Sequence, residues 1–378
     1  MSNPCRRFLR MTLWISVFIG LPGMAYSAYG PRLYVDIHPE GWISSKAVCV
    51  NGRGQTVGNG MTPQGERGFL WSAGQYTVLL PAGATSSRVS WVNDRGDVAG
   101  TAFDAEGVPH AFLFRNGGYI DPTPGWRYSE ALFVGKDGAV TGRGDRGGFV
   151  SIGGAVSIPP SFSSIVGITS TGILFGNGDN VARMFIPGKG YLSLLPPDEE
   201  TAYPGRMNEN GLAAFSARYR GVEKGYVFSG GFMIFMIPPE WTSSVAESIN
   251  NLGEVAGYGE GPQGRQGFLR SGSDYEVISC PDCMATEAKS VNDFGEVAGS
   301  GETVSGANHA FFSYPASVSA PVSQPSTVGG MSAGGGCSMA SSQGRPAPDA
   351  GIADLLFLLC PPGYFVARRA VRRGVTPR

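Results

Sequence analysis

Apolar residues in this chain come in short runs broken by turn residues, without the 3.6-residue stripe of an amphipathic helix between the two ends. The clearest runs are copies of one another: Ser90-Trp-Val-Asn-Asp-Arg-Gly-Asp-Val-Ala-Gly100, Ser248-Ile-Asn-Asn-Leu-Gly-Glu-Val-Ala-Gly257 and Ser290-Val-Asn-Asp-Phe-Gly-Glu-Val-Ala-Gly299. Each reads as a strand entering a tight turn and a second strand leaving it on Val-Ala-Gly. Asn folds its side chain back onto the backbone and Gly accepts positive φ, so the pair suits the reversal. Aligning on the turn glycine yields seven copies, at Gly54, Gly96, Gly138, Gly172, Gly211, Gly253 and Gly295, spaced 42, 42, 34, 39, 42 and 42 residues apart. That period fits one four-stranded propeller blade per repeat.

A second apolar run follows each turn, with a large residue in register at Phe69, Phe112, Phe149, Met184, Tyr226, Phe268 and Phe311. Side chains of this size at one repeat position are expected to pack between blades. A third short run then opens with Tyr76, Tyr119, Tyr191 or Tyr275. The seventh repeat lacks this last strand, and Leu33-Tyr-Val-Asp-Ile-His-Pro39 near the start of the chain matches what is missing. The expected fold is therefore an all-β, seven-bladed β-propeller over residues 28–315, closed by the N-terminal strand completing the last blade, which removes an open sheet edge. The third to fifth repeats carry the weakest motifs, above all the fourth, with Thr169-Ser-Thr-Gly172.

With its Asn-x-x-Gly-x-Val-Ala-Gly turns and His-Ala-Phe at His110 to Phe112 and His309 to Phe311, the chain resembles bacterial extracellular HAF-repeat proteins from about residue 33 to 315. The resemblance implies export and a propeller, and no particular activity.

Composition agrees with a turn-rich β protein, since Gly (58) and Pro (27) make up more than a fifth of the 378 residues. Residues 1–27 read as a secretory signal. Arg6, Arg7 and Arg10 precede an apolar run from Met11 to about Leu21, and Ala25 and Ser27 supply the small residues of a cleavage site before Ala28. Residues 316–336 are rich in Ser, Pro, Val and Gly and read as a flexible linker. In the tail, 337–378, Cys337 follows three glycines, and an apolar stretch from Gly351 to Ala367 ends at Arg368, Arg369, Arg372 and Arg373. This order resembles Cys-containing C-terminal sorting signals of the MYXO-CTERM and JDVT-CTERM kind, which implies processing or attachment at Cys337 and a sorting protease as partner. Asp354 and Pro361-Pro362 interrupt the apolar stretch, so a transient membrane association is expected rather than a permanent span. The expected location is the cell surface, outer membrane or extracellular space.

Between residues 28 and 315 there are 20 basic and 28 acidic side chains, a net of −8, which disfavours nucleic acid. Cys49, Cys280 and Cys283 are the cysteines of this region. Cys280-Pro-Asp-Cys283 closes a small loop as a disulfide in an oxidising compartment, or stands as two thiols. Redox chemistry would need a helix N-terminus behind the first cysteine, and zinc would need a second ligand pair.

Propeller chemistry gathers where unlike residues converge on the channel. Eight residues before the turn glycine the copies read Lys46, Arg88, Glu130, Ser164, Tyr203, Val245 and Glu287. Lys46, Arg88, Glu130, Tyr203 and Glu287, with Glu247 beside Val245, form the candidate binding rim, and Glu130 and Glu287 are the candidate acid and base. The competing interpretation is a solvated rim of mixed charge. His110 and His309 fill a slot taken elsewhere by Gly and read as strand residues. Asn93-Asp94 and Asn292-Asp293 lack the ligand series of a calcium loop, and Arg95-Gly96-Asp97 uses the repeat glycine. No cofactor or metal is expected. Without a nucleophile elbow, Walker loop or dinucleotide fingerprint, the function expected is binding of a protein or glycan without catalysis. The alternatives are a carbohydrate-active hydrolase or lyase, or a structural envelope protein.

Overall fold

The computed structural model describes residues 31–316. The secretory segment with Ser27 and Ala28, the linker beyond Ala316 and the tail with Cys337 lie outside the described residues. The 28 strands form seven four-stranded antiparallel sheets, and no helix occurs among the described residues. Blade 1 runs Ser44–Val50, Thr56–Thr62, Gly65–Ser72 and Gln75–Leu79, and the next five blades repeat that order. The innermost strands of blades 2 to 7 are Ser86–Val92, Ser129–Val134, Ser164–Ile168, Thr201–Met207, Val245–Ile249 and Cys283–Val291. Each touches the innermost strands on both sides, the last meeting the first, so the ring is closed. Blades 3 to 5 are complete despite their worn motifs.

Blade 7 takes its outer strand from the other end of the chain. Arg32–Asp36 lies antiparallel to Asn308–Pro315, with Leu33 opposite Tyr314 and Asp36 opposite Phe311. Arg32 clasps this closure, donating to the Ser313 hydroxyl at 2.8 Å and to the Gly295 carbonyl at 2.7 Å.

The core is divided among the blade interfaces. Seven apolar clusters each join two neighbouring blades; one holds Ala47, Phe69 and Trp71 of blade 1 against Ala298, Ala310 and Phe312 of blade 7. Six of the seven residues at the repeated large position are buried. Tyr226 is only half-buried, because its hydroxyl donates to the Glu199 carboxylate at 2.9 Å. The glycine of Val-Ala-Gly exists for these rings: a Cβ on Gly299 would lie 2.6 Å from Phe311 and collide with the Glu287 carbonyl.

The repeated Asn does more than make its turn. Asn250 Oδ1 accepts the backbone N–H groups of Leu252 and Glu254, while its amide donates to the Asn292 carbonyl one blade on, at 2.9 Å. Asn51, Asn93, Asn208 and Asn292 repeat this bridge, forming a buried girdle on the face where inner strands end. Gly135 and Thr169 occupy the position in blades 3 and 4 and interrupt it.

Candidate functional site

The inner strands begin at the opposite face, and their start fixes the rim. Lys46, Arg88, Glu130, Ser164, Tyr203, Val245 and Glu287 hold one equivalent register, each paired with the residue five beyond its turn glycine. The predicted set thus occupies corresponding places on seven strands, but Arg88, Glu130 and Glu287 are each engaged in an ion pair. Glu130 accepts three contacts from Arg143 in its own blade, at 2.8 to 3.1 Å. Arg88 pairs with Glu66 at 2.7 Å and lies over the Phe103 ring.

Glu247 and Glu287 belong to one network. Lys289 bridges them, at 2.8 Å to Glu247 and 3.2 Å to Glu287. Arg265 bonds Glu287 at 3.1 Å and Glu260 at 3.2 Å. The Tyr258 ring lies under both cations, 4.3 Å from Lys289 Nζ and 5.5 Å from the Arg265 guanidinium. Burial alone would raise the Glu287 pKa, but Lys289, Lys46 and Arg265 outweigh it and hold the carboxyl below its usual range. Lys289 is likewise held above its usual value: burial opposes the charge, and Glu247, Tyr258 and Glu287 override it. A carboxylate kept ionised by two or three cations is a poor proton donor.

Below the rim, every inner strand carries a β-bulge. Six blades skip one residue there, and blade 5 skips two, Gly205 and Arg206, between Pro204 and Met207. The wider bulge releases Arg206 from the ladder and re-aims its side chain. Its guanidinium crosses the ring axis and donates to the carbonyls of Ser90, Leu132 and Val166, in blades 2, 3 and 4, at 3.1 to 3.2 Å. All three acceptors are bulge residues. The guanidinium also stacks 4.8 Å from the Trp91 ring. Arg206 therefore stoppers the channel with one side chain, and burial lowers its pKa from the free value. The sequence reading missed both Arg206 and Lys289. Arg206 was detectable as a charge where the other repeats read Cys49, Trp91, Phe133, Gly167, Ser248 and Ser290.

Around the stopper the face is aromatic, basic and partly apolar. Tyr203, Tyr128, Ile43, Met61 and Met284 are all exposed, the last to 56%. Arg127, Arg146 and Arg220 lie over the rings of Tyr128, Trp126 and Tyr219 at 5.0 to 5.7 Å. Cys280 and Cys283 form a disulfide at this face. Cys49 is buried in the first inner strand, its thiol pushed up to about 12 by burial. His110 pairs with Asp104 and His309 with Asp36, both at 3.0 Å. No cluster of three or more metal-ligating side chains occurs among the described residues.

No protein-family model and no curated protein matches the sequence. Among solved structures the ring is similar to a streptogramin B lyase, with a TM-score of 0.52 and 12% identity over 77% of this chain and 99% of that one. It is also similar to the β-propeller domain of the trilobed protease from Pyrococcus furiosus, with a TM-score of 0.47 and 11% identity over 71% and 95% of the two chains. The first likeness agrees with the propeller fold, and identities this low carry no chemistry.

Proposed function

We propose that this is an exported, surface-associated or secreted propeller that binds a protein or glycan on its loop face and performs no reaction there. The observation that carries this reading is the state of the rim. Glu130, Glu247 and Glu287 are each engaged by Arg or Lys, and Arg206 fills the channel into which a substrate would descend. The exposed tyrosines, stacked arginines and apolar Ile43, Met61 and Met284 have the composition of a binding surface, and the apolar trio favours a protein over a glycan. Export is supported by the secretory pattern of residues 1–27 and by a disulfide that persists in oxidising compartments. The tail supports surface sorting through Cys337 and its processing protease.

The test is to present the full chain to arrayed glycans and to solubilised envelope proteins, and to analyse each bound species by mass spectrometry. The expected outcome is saturable capture of an intact ligand, weakened by Tyr203→Ala. Capture of a cleaved glycan would instead support the hydrolase or lyase alternative.

A further inference from the structure

Twelve residues before the turn glycine lies a repeat position that wedges into the loop face of each blade. Trp42, Trp126 and Trp241 occupy it in blades 1, 3 and 6. Their rings meet Phe69, Phe149 and Phe268 edge-on, at 5.6, 5.4 and 5.9 Å with interplanar angles of 87°, 70° and 81°. Blade 7 fills the same place with the Cys280–Cys283 disulfide, whose sulfurs stand over Gly301. Blade 5 places Glu199 there, bonded to Lys224 and Tyr226. Blade 4 uses Phe162, displaced by two residues, over Gly176.

Blade 2 has Ala84. Its backbone is that of the others: Ala84 N donates to the Pro81 carbonyl at 3.1 Å, as Trp42 N does to Pro39, Trp126 N to Thr123 and Trp241 N to Pro238. The surrounding ring set is also retained, since Tyr119 crosses Phe112 at 5.5 Å as Tyr76 crosses Phe69 at 6.2 Å. Only the plug is missing. In its place is a pocket of about 340 Å³, lined by the Pro81–Ala84 turn, Ala102, Phe103, Phe112 and Tyr119. That volume lies within the ~300–1,000 Å³ of small-ligand pockets. His110, Asp104 and Asp121 edge it.

We propose that the blade-2 pocket receives the indole of a tryptophan presented by a partner polypeptide, with a basic residue beside that tryptophan facing Asp104 and Asp121. Three other blades of the same molecule show the occupant such a pocket holds and its geometry against the phenylalanine floor. The two rim aspartates and the net charge of −8 over residues 28–315 favour basic flanks. The proposal rests on the face-binding reading and names its anchor.

The probes are N-acetyl-tryptophanamide and the tripeptide Lys-Trp-Lys, titrated into the full chain and followed by saturation-transfer NMR. Both are expected to saturate one site, the tripeptide more tightly. Ala84→Trp is expected to fill the pocket and weaken binding about tenfold or more. A second form, Ala84→Trp with Ala102→Gly, supplies the glycine that Gly60 and Gly144 provide beneath Trp42 and Trp126. Tyr119→Ala, at an exposed wall, is expected to weaken both probes with the fold intact. Absence of saturation by either probe, binding undiminished by all three variants, or displacement by methyl N-acetylglucosaminide would overturn the proposal. A natural ligand that binds Ala84→Trp as well as the parent would also overturn it, while leaving the face-binding function standing.

Discussion

Asn292 donates its side-chain amide to the main-chain carbonyl of Asn51 at 2.8 Å, joining the last blade to the first across 241 residues of sequence. The same Asn292 accepts the N–H groups of Phe294 and Glu296, both at 3.0 Å. Asn292→Ala would strand these buried groups and remove the bridge. The expected loss is about 2–4 kcal/mol of unfolding free energy, read by urea denaturation. Asn251→Ala removes only exposed side-chain bonds, to the Asp293 carboxylate at 2.8 Å and from the Glu209 N–H at 3.1 Å, and should cost less than about 1 kcal/mol.

Arg206→Met keeps a long apolar stem but removes all three donors to Ser90, Leu132 and Val166. It should destabilise the ring by about 2–4 kcal/mol, because three channel carbonyls lose a charged partner together. Arg206→Lys should recover only part of this, since one ammonium cannot reproduce the planar fork. Equal stability of the Met variant and the parent would show that the stopper is not structural.

Acid should loosen the closure at His38. Its ring stacks on His309 at 4.0 Å, bonds the Ser45 hydroxyl through Nδ1 and approaches the Trp42 carbonyl through Nε2. Burial and the neighbouring His309 disfavour the imidazolium and outweigh the Trp42 carbonyl and Asp36, so folded His38 titrates below its ordinary 6.5. The unfolded chain then binds more protons, and stability present above that value is lost as pH falls through it. Urea midpoints measured from pH 8 to 5 should decline, and His38→Gln should flatten the decline. The depressed carboxyls of Asp97, Asp104 and Glu287 act in the same direction but at lower pH, from their ordinary 3.8 to 4.5 downward. A parent whose midpoint rises on acidification to pH 5 would refute the assignment.

Cys49 should resist alkylation in the folded protein, since its thiol is buried and ionises only near 12. Iodoacetamide at pH 8, followed by peptide mass mapping, should modify Cys49 only after denaturation, and Cys280 and Cys283 only after reduction. Modification of Cys49 without denaturant would mean that the first inner strand is open.

The ring was legible because its determinants are local and recur. The turn glycines take φ of +70° to +87°, which few other residues adopt, and Phe69, Phe149 and Phe268 keep their register through the blade interfaces. The closing strand was legible because blade 7 lacked what residues 33–39 supply. Blade 4 was harder, since Thr169 replaces the Asn and its side chain bonds only locally, to Thr171 and to the Ile173 N–H. The repeat register of the rim positions was legible but not their pairing: Arg143 and Arg265 arrive from neighbouring strands, and Lys289 from the bulge two residues along the strand from Glu287. Arg206 depends on a bulge one residue wider than its neighbours, a feature of backbone register. The wedge position escaped because Trp, Ala, Glu and Cys share a place there and not a chemistry.

The decisive comparison is a titration of the captured ligand into the parent and into Glu130→Gln/Glu287→Gln, with the ligand recovered afterwards and its mass determined. A binding propeller should hold the ligand in both proteins and return it unchanged from both. Conversion of the ligand by the parent, with conversion lost and binding kept in the double variant, would make Glu130 and Glu287 catalytic and overturn the proposed function.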